Sequence, residues 1–115
     1  MTKEQSELLD PDAQAAEQDR KDRLDRLARD QAREDILWVM ADKRGRRFVA
    51  RLLDKAHIGK SSFVAANAMT VSFLEGERNV GLALQTELLD VCPTRFTEMT
   101  KEYQDNARQL AKRSR

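Results

Sequence analysis

Cys92 and His57 are the two side chains of this 115-residue chain that could pair as nucleophile and base. A thiolate attacks carbonyl carbon once an imidazole has taken its proton, provided the fold brings the two groups together. Nothing else in the sequence supports that use. Cys92 stands directly before Pro93 at a helix junction, where a small buried side chain is the ordinary role of a cysteine. There is one histidine and one cysteine, so a multi-histidine metal cluster, a Cys-x-x-Cys motif and an intrachain disulfide are all excluded. No Walker A sequence or glycine-rich phosphate loop is present. Carboxylates are abundant, but on charged stretches they serve most simply as solvated partners of Lys and Arg. The reading is therefore no enzyme, with no catalytic, metal-binding or cofactor-binding residues.

Binding chemistry is better represented. Lys43, Arg44, Arg46, Arg47, Arg51 and Lys55 place six cations within 13 residues, with Asp42 and Asp54 as the nearby acids. Arg44, Arg47, Arg51 and Lys55 recur at helical spacing and form a basic stripe. The bland reading is a solvated helix face partly paired with acidic residues elsewhere in the chain. The functional readings are an acidic protein surface or, second to it, the phosphates of a nucleic acid. A near-neutral isoelectric point, few aromatics and the lack of a zinc-finger, RNA-recognition or clear helix-turn-helix signature argue against a dedicated DNA binder.

A second constellation surrounds Glu75. Glu75 and Arg78 are i,i+3 neighbours on a helix and can pair. Gly76 and Gly81 lack side chains, at a cost of about 0.5–1 kcal/mol each relative to Ala inside a helix. The expectation is a tight helix crossing, with Gly45 as its other side and Arg46 or Arg47 reaching Glu75 or Glu77. A ligand site is the alternative.

The elements that position these residues are all helical. Asp10-Pro11 reads as an N-cap and first turn, and no Gly or Pro interrupts residues 12–41. One helix there would run on the order of 45 Å. Within it, Glu17–Lys21, Asp19–Arg23, Asp22–Arg26 and Asp25–Arg29 are i,i+4 pairs in the favourable order. Leu24 and Leu27 make only a thin apolar stripe, whereas residues 36–40 are apolar enough to enter a core. Asp42 caps a second helix, from Lys43 to about Ala56, with Phe48, Val49, Leu52, Leu53 and Ala56 as its apolar face. Gly59 is a stop signal, and 58–69 reads as an irregular segment pinned by Phe63. A third helix, about Thr70 to Asp90, carries Phe73, Val80, Leu84 and Leu88 along one side. Pro93 opens a fourth, in which Phe96, Met99, Tyr103 and Leu110 take heptad-like positions interrupted by Asn106.

The composition agrees with this all-α reading. The chain is 36% charged and only 5% aromatic, with four Gly and two Pro, which suits long exposed helices and disfavours a sheet. The expected architecture is a small bundle of about four helices with a long charged N-terminal helical arm. Residues 1–35 are that arm, 36–103 the compact domain, and 104–115 a basic helix end and tail. Charge runs along this order. Residues 1–35 hold 7 basic and 11 acidic groups, whereas residues 101–115 hold 5 and 2. No apolar run approaches the roughly 18–20 residues of a membrane span, and no apolar signal stretch begins the chain. The lone cysteine fits a reducing compartment such as cytoplasm.

Two segments and a link between them resemble a known family. Gly45-Arg46-Arg47-Phe48 is followed by Leu52-Leu53, and later by Phe73-Leu74-Glu75-Gly76-Glu77-Arg78-Asn79-Val80-Gly81-Leu82, with Ser61-Ser62-Phe63 between them. In this order and spacing they resemble a family of small tailed-bacteriophage proteins typified by a Bordetella phage product. The family is common in short-tailed phages (podoviruses) and is encoded among head, portal and packaging genes. The resemblance covers roughly residues 35–102. It implies a helical fold and a phage context, and carries no established catalytic residues.

The function expected from both lines of reasoning is a structural or assembly protein of a tailed phage, located in the virion and made in the host bacterial cytoplasm. It would act through contacts with phage structural proteins (portal, tail or capsid) and as a homo-oligomer, in a ring at the portal or tail vertex or inside the head. Acidic arm against basic core of a neighbour is one mechanism for that association. The alternative is a sequence-independent nucleic-acid-binding accessory of genome packaging or ejection.

Overall fold

The structure, a computed structural model, describes Thr2 and residues 10–56 and 68–114. It contains four helices: α1 (Pro11–Ala41), α2 (Lys43–Lys55), α3 (Ala68–Val91) and α4 (Pro93–Arg113). No strand occurs among the described residues. The all-α reading is thus observed, with a long charged first helix. His57, Gly59, Ser61, Ser62, Phe63 and Asn67, named in the sequence reading, lie outside the described residues.

The chain divides into two compact units, Met1–Asp35 and Ile36–Arg115. In the first, the Asp10 carboxylate accepts a hydrogen bond from the Asp12 backbone N–H at 3.0 Å, capping α1 as the Asp-Pro signal requires. From Pro11 to Asp35 only Ala13 and Ala32 are even half-buried, and Leu24 and Leu27 are exposed. The four i,i+4 pairs expected here are not closed. Instead Arg20 reaches back three residues and donates two hydrogen bonds to Glu17, at 2.8 and 3.2 Å. Gln18 donates to Asp22 at 2.9 Å. The fork of an arginine can grip a carboxylate through two nitrogens one turn away, which a single i,i+4 contact does not offer.

The second unit holds the core. Met40, Val49, Ala50, Leu88, Cys92 and Met99 are buried, and Ile36, Val39, Leu53, Leu84, Val91, Phe96 and Tyr103 pack around them. Every helix of this unit contributes, including the apolar end of α1. Sharp chain reversals make this possible. Asp42 leaves helical geometry, and its side chain accepts from the Arg44 N–H at 2.7 Å, which starts α2. At the other junction one residue, Cys92, separates α3 from α4. Pro93 has no N–H to continue α3 and suits the first turn of α4, so the helix must break there.

Two apolar faces differ from expectation. On α2 the inward positions are Arg46, Val49, Ala50 and Leu53, while Phe48 and Leu52 are exposed. Two of the five residues expected on its apolar face therefore point out. The helix is rotated because Arg46, not Phe48, holds an interior position. On α3, Leu88 and Gly81 are buried and Leu84 packs on the core, but Phe73 and Val80 are exposed. The core engages the second half of α3 only.

Candidate functional site

The centre of the family-like Gly45-Arg46-Arg47-Phe48 segment is an ion cluster. Arg46 is 5% exposed, the one charged residue among the buried ones described. Its Nε and Nη2 donate to the two oxygens of Glu102 at 3.1 and 2.9 Å, a bidentate fork. Its Nη1 donates to the Met40 carbonyl at 2.8 Å, and Glu98 lies 3.5 Å from Nη2. One guanidinium thus ties α2 to α4 and to the last turn of α1. Buried charge is tolerable only when paired and hydrogen-bonded in this way. The hydrogen bond to Glu102 raises the Arg46 pKa, against the desolvation that lowers it. Glu98 is held below its ordinary value chiefly by a hydrogen bond from Arg95 at 2.8 Å, with the charge of Arg46 adding to it.

This corrects two expectations. Arg46 does not reach Glu75 or Glu77, and it is not part of the exposed basic stripe. The partners that sequence reasoning missed are Glu98 and Glu102. A signal for them existed. They lie one turn apart beside the core positions Met99 and Tyr103, so two like charges at the edge of a core require a cation. The four residues Arg46, Val49, Ala50 and Leu53 also keep an i, i+3, i+4, i+7 spacing that would have placed Arg46 inward.

Gly45 and Gly76 do not meet in the expected crossing. A Cβ at Gly45 would overlap the Val39 carbonyl oxygen and crowd the Val39 side chain. Gly45 is thus needed where the start of α2 folds against the end of α1. Around Gly76 a Cβ would meet nothing within 4 Å. Gly81 is buried. Glu75 and Arg78 make no ion pair with each other, and the Nε of Arg78 is buried with no hydrogen-bond partner among the described residues. The lock that the sequence placed at Glu75 is therefore held by Arg46 and α4.

The remaining five cations, Lys43, Arg44, Arg47, Arg51 and Lys55, are exposed. Arg51 lies over the Phe48 ring at 5.7 Å from its centroid. None of the five forms an ion pair with a described residue. Their face of α2 is therefore positive, with Phe48 and Leu52 set among the charges. Close to it, Trp38, the one tryptophan of the chain, is 80% exposed. Trp38, Arg44 and Gly45 line one open depression of about 520 Å³.

Cys92 lies in the core cluster at the α3–α4 junction, the packing position that its place before Pro93 implies. Tyr103 also belongs to the interior edge. Burial, and then the nearby Asp54 carboxylate, push its phenol up. Among the described residues, no group of three or more His, Cys, Asp or Glu is placed to hold a metal ion. No described helix is long and apolar enough to cross a membrane.

Residues 36–101 match the family described as Bbp19-like phage protein. The matched stretch begins where the second compact unit begins and includes the Arg46, Glu98 and Gly45 contacts. No curated protein and no solved structure matches the chain.

Proposed function

This chain belongs to the family of Bbp19-like phage proteins, and from that premise we propose that it is a structural or assembly protein of a tailed-phage virion that works through contacts with other virion proteins. The observation that carries the reading is the exposed apolar set of the family-matched unit. Trp38, Phe48, Leu52, Phe73 and Val80 are all exposed, while six apolar residues make the buried cluster. A soluble chain that leaves its tryptophan and two phenylalanines outside a small core presents the side chains that dominate protein interfaces. Partners of this kind are portal, tail or capsid proteins, or further copies of this chain in a ring of a short-tailed phage. The positive face of α2 adds electrostatic selection of an acidic surface.

Quantitative mass spectrometry of purified, nuclease-treated particles tests the proposal. The expected result is a fixed ratio of this chain to the portal protein. Presence in infected cells but absence from mature particles would remove the virion role.

A second reading is sequence-independent binding of nucleic acid during packaging or ejection, carried by the unpaired cations of α2. Phosphate contacts of that type weaken steeply with salt. A salt titration of DNA affinity discriminates, and no binding at low salt removes this reading.

A further inference from the structure

A cleft of about 360 Å³ lies between α2 and the C-terminal turns of α4, with Lys43 and Arg47 lining it from α2 and Arg113 from α4. None of these three cations forms an ion pair with a described residue. The two acids of the cleft are engaged elsewhere. Glu102 is gripped by the buried Arg46 at 2.9 Å, and Asp105 faces Arg108 at 3.6 Å. The cleft thus carries three uncompensated positive charges on walls of lower dielectric than water, the arrangement that concentrates anions.

Its remaining lining decides which anion. Asn106 and Gln109 each present an amide that both donates and accepts hydrogen bonds, and Leu110 adds an apolar surface. A phosphate group offers hydrogen-bond acceptors only, so it would leave the amide oxygens of Asn106 and Gln109 unused. A peptide offers backbone N–H and C=O together, matching both halves of each amide, and carboxylates to match the cations.

We propose that this cleft is a binding site for an acidic segment of a partner protein, with carboxylates on Lys43, Arg47 and Arg113 and backbone groups on Asn106 and Gln109. The proposal rests on the reading that the protein acts through protein contacts, and it names the chemistry of one partner. It also gives the exposed cations separate roles. Lys43 and Arg47 belong to the site, whereas Arg44 and Lys55 lie on the same helix outside it.

Fluorescence anisotropy with the purified full-length chain provides the test. The probe is a rhodamine-labelled peptide of alternating Glu and Ala, compared with its Gln-Ala counterpart and with a single-stranded oligonucleotide of equal charge. The double variant R47Q/R113Q should weaken binding of the acidic peptide about tenfold, since each removes one charged contact at a partly screened site. The double variant K101Q/K112Q removes the same charge at exposed lysines outside the cleft lining and should change affinity by less than about twofold. All four side chains are exposed, so both variants keep the fold, which matching thermal melts verify. Equal losses in the two variants, or no binding of the acidic peptide, would overturn the site. So would tighter binding of the oligonucleotide with the same sensitivity to R47Q/R113Q, which would make the cleft a phosphate site. None of these outcomes depends on whether the chain is found in particles, so failure here is separable from failure of the virion role.

Discussion

Gly45 and Gly76 belong to the two segments that most resemble the phage family, yet the fold uses those segments in opposite ways. Around Gly45 the structure is closed. Its missing Cβ admits the Val39 backbone, and its neighbour Arg46 is buried and bonded to α4 and to the end of α1. Around Gly76 the structure is open. Nothing lies within 4 Å of a Cβ there, and Phe73 and Val80 are exposed. The first segment is explained inside the monomer, because it joins three helices. In the second, Phe73 and Val80 are exposed and available to other molecules, while Gly81 further along the helix is buried. One sequence pattern therefore contains a part that makes the fold and a part that faces outward.

The comparison can be broken at its strongest point first. Arg46→Ala should lower unfolding free energy in urea by about 3 kcal/mol, because it leaves Glu102 and the Met40 carbonyl without their buried partner. Arg46→Lys should cost less but still more than 1 kcal/mol by the same measurement, since a lysine cannot reproduce the bidentate grip. A loss below about 0.5 kcal/mol for Arg46→Ala would show that the closed region does not hold the helices together.

The glycines give the next contrast, and it is one of sign. Gly45→Ala should destabilise by about 1–3 kcal/mol through overpacking against Val39, which is backbone and cannot simply turn aside. Gly76→Ala should stabilise by about 0.5–1 kcal/mol, because Ala suits a helix interior and meets open space. Paired thermal melts would read both. The exposed aromatics sharpen the point. Phe48→Ala and Phe73→Ala should each move stability by no more than about 0.5 kcal/mol, while Phe48→Ala lowers partner affinity.

The smallest expected effect concerns pH. Glu98 has a depressed pKa in the folded state, so its pairing contributes stability that is present above its unfolded value of about 4.3. That contribution is lost as pH falls through the lower folded value. Acid unfolding of Glu98→Gln should therefore begin from a lower stability at neutral pH and fall less steeply in that window than the parent chain.

Much of the fold was legible because its signals are local. Asp10-Pro11, Asp42 and Pro93 each mark a helix start through capping or through a missing N–H, and each start is found where the sequence places it. The family was legible from short segments with fixed spacing. The site was less so. Counting Arg46 with its five neighbours as one basic stripe ignored that a helix face is set by what lies across from it, and the two carboxylates across from Arg46 stand more than fifty residues later. The same long-range cause turned Phe48 outward, since period alone cannot choose between two apolar faces of one helix. Gly45 announced a close approach but not its partner, which proved to be the helix immediately before it.

Hydroxyl-radical footprinting, comparing the free protein with the protein in assembled particles, tests the central claim most directly. The claim is that the family-matched unit keeps its core closed and turns Trp38 and the Phe48 face toward other virion proteins. The predicted result is strong oxidation of Trp38 and Phe48 in the free chain and protection of both in particles, with the buried Met40 and Met99 slow in each state. Equal oxidation of Trp38 and Phe48 in the two states would contradict it.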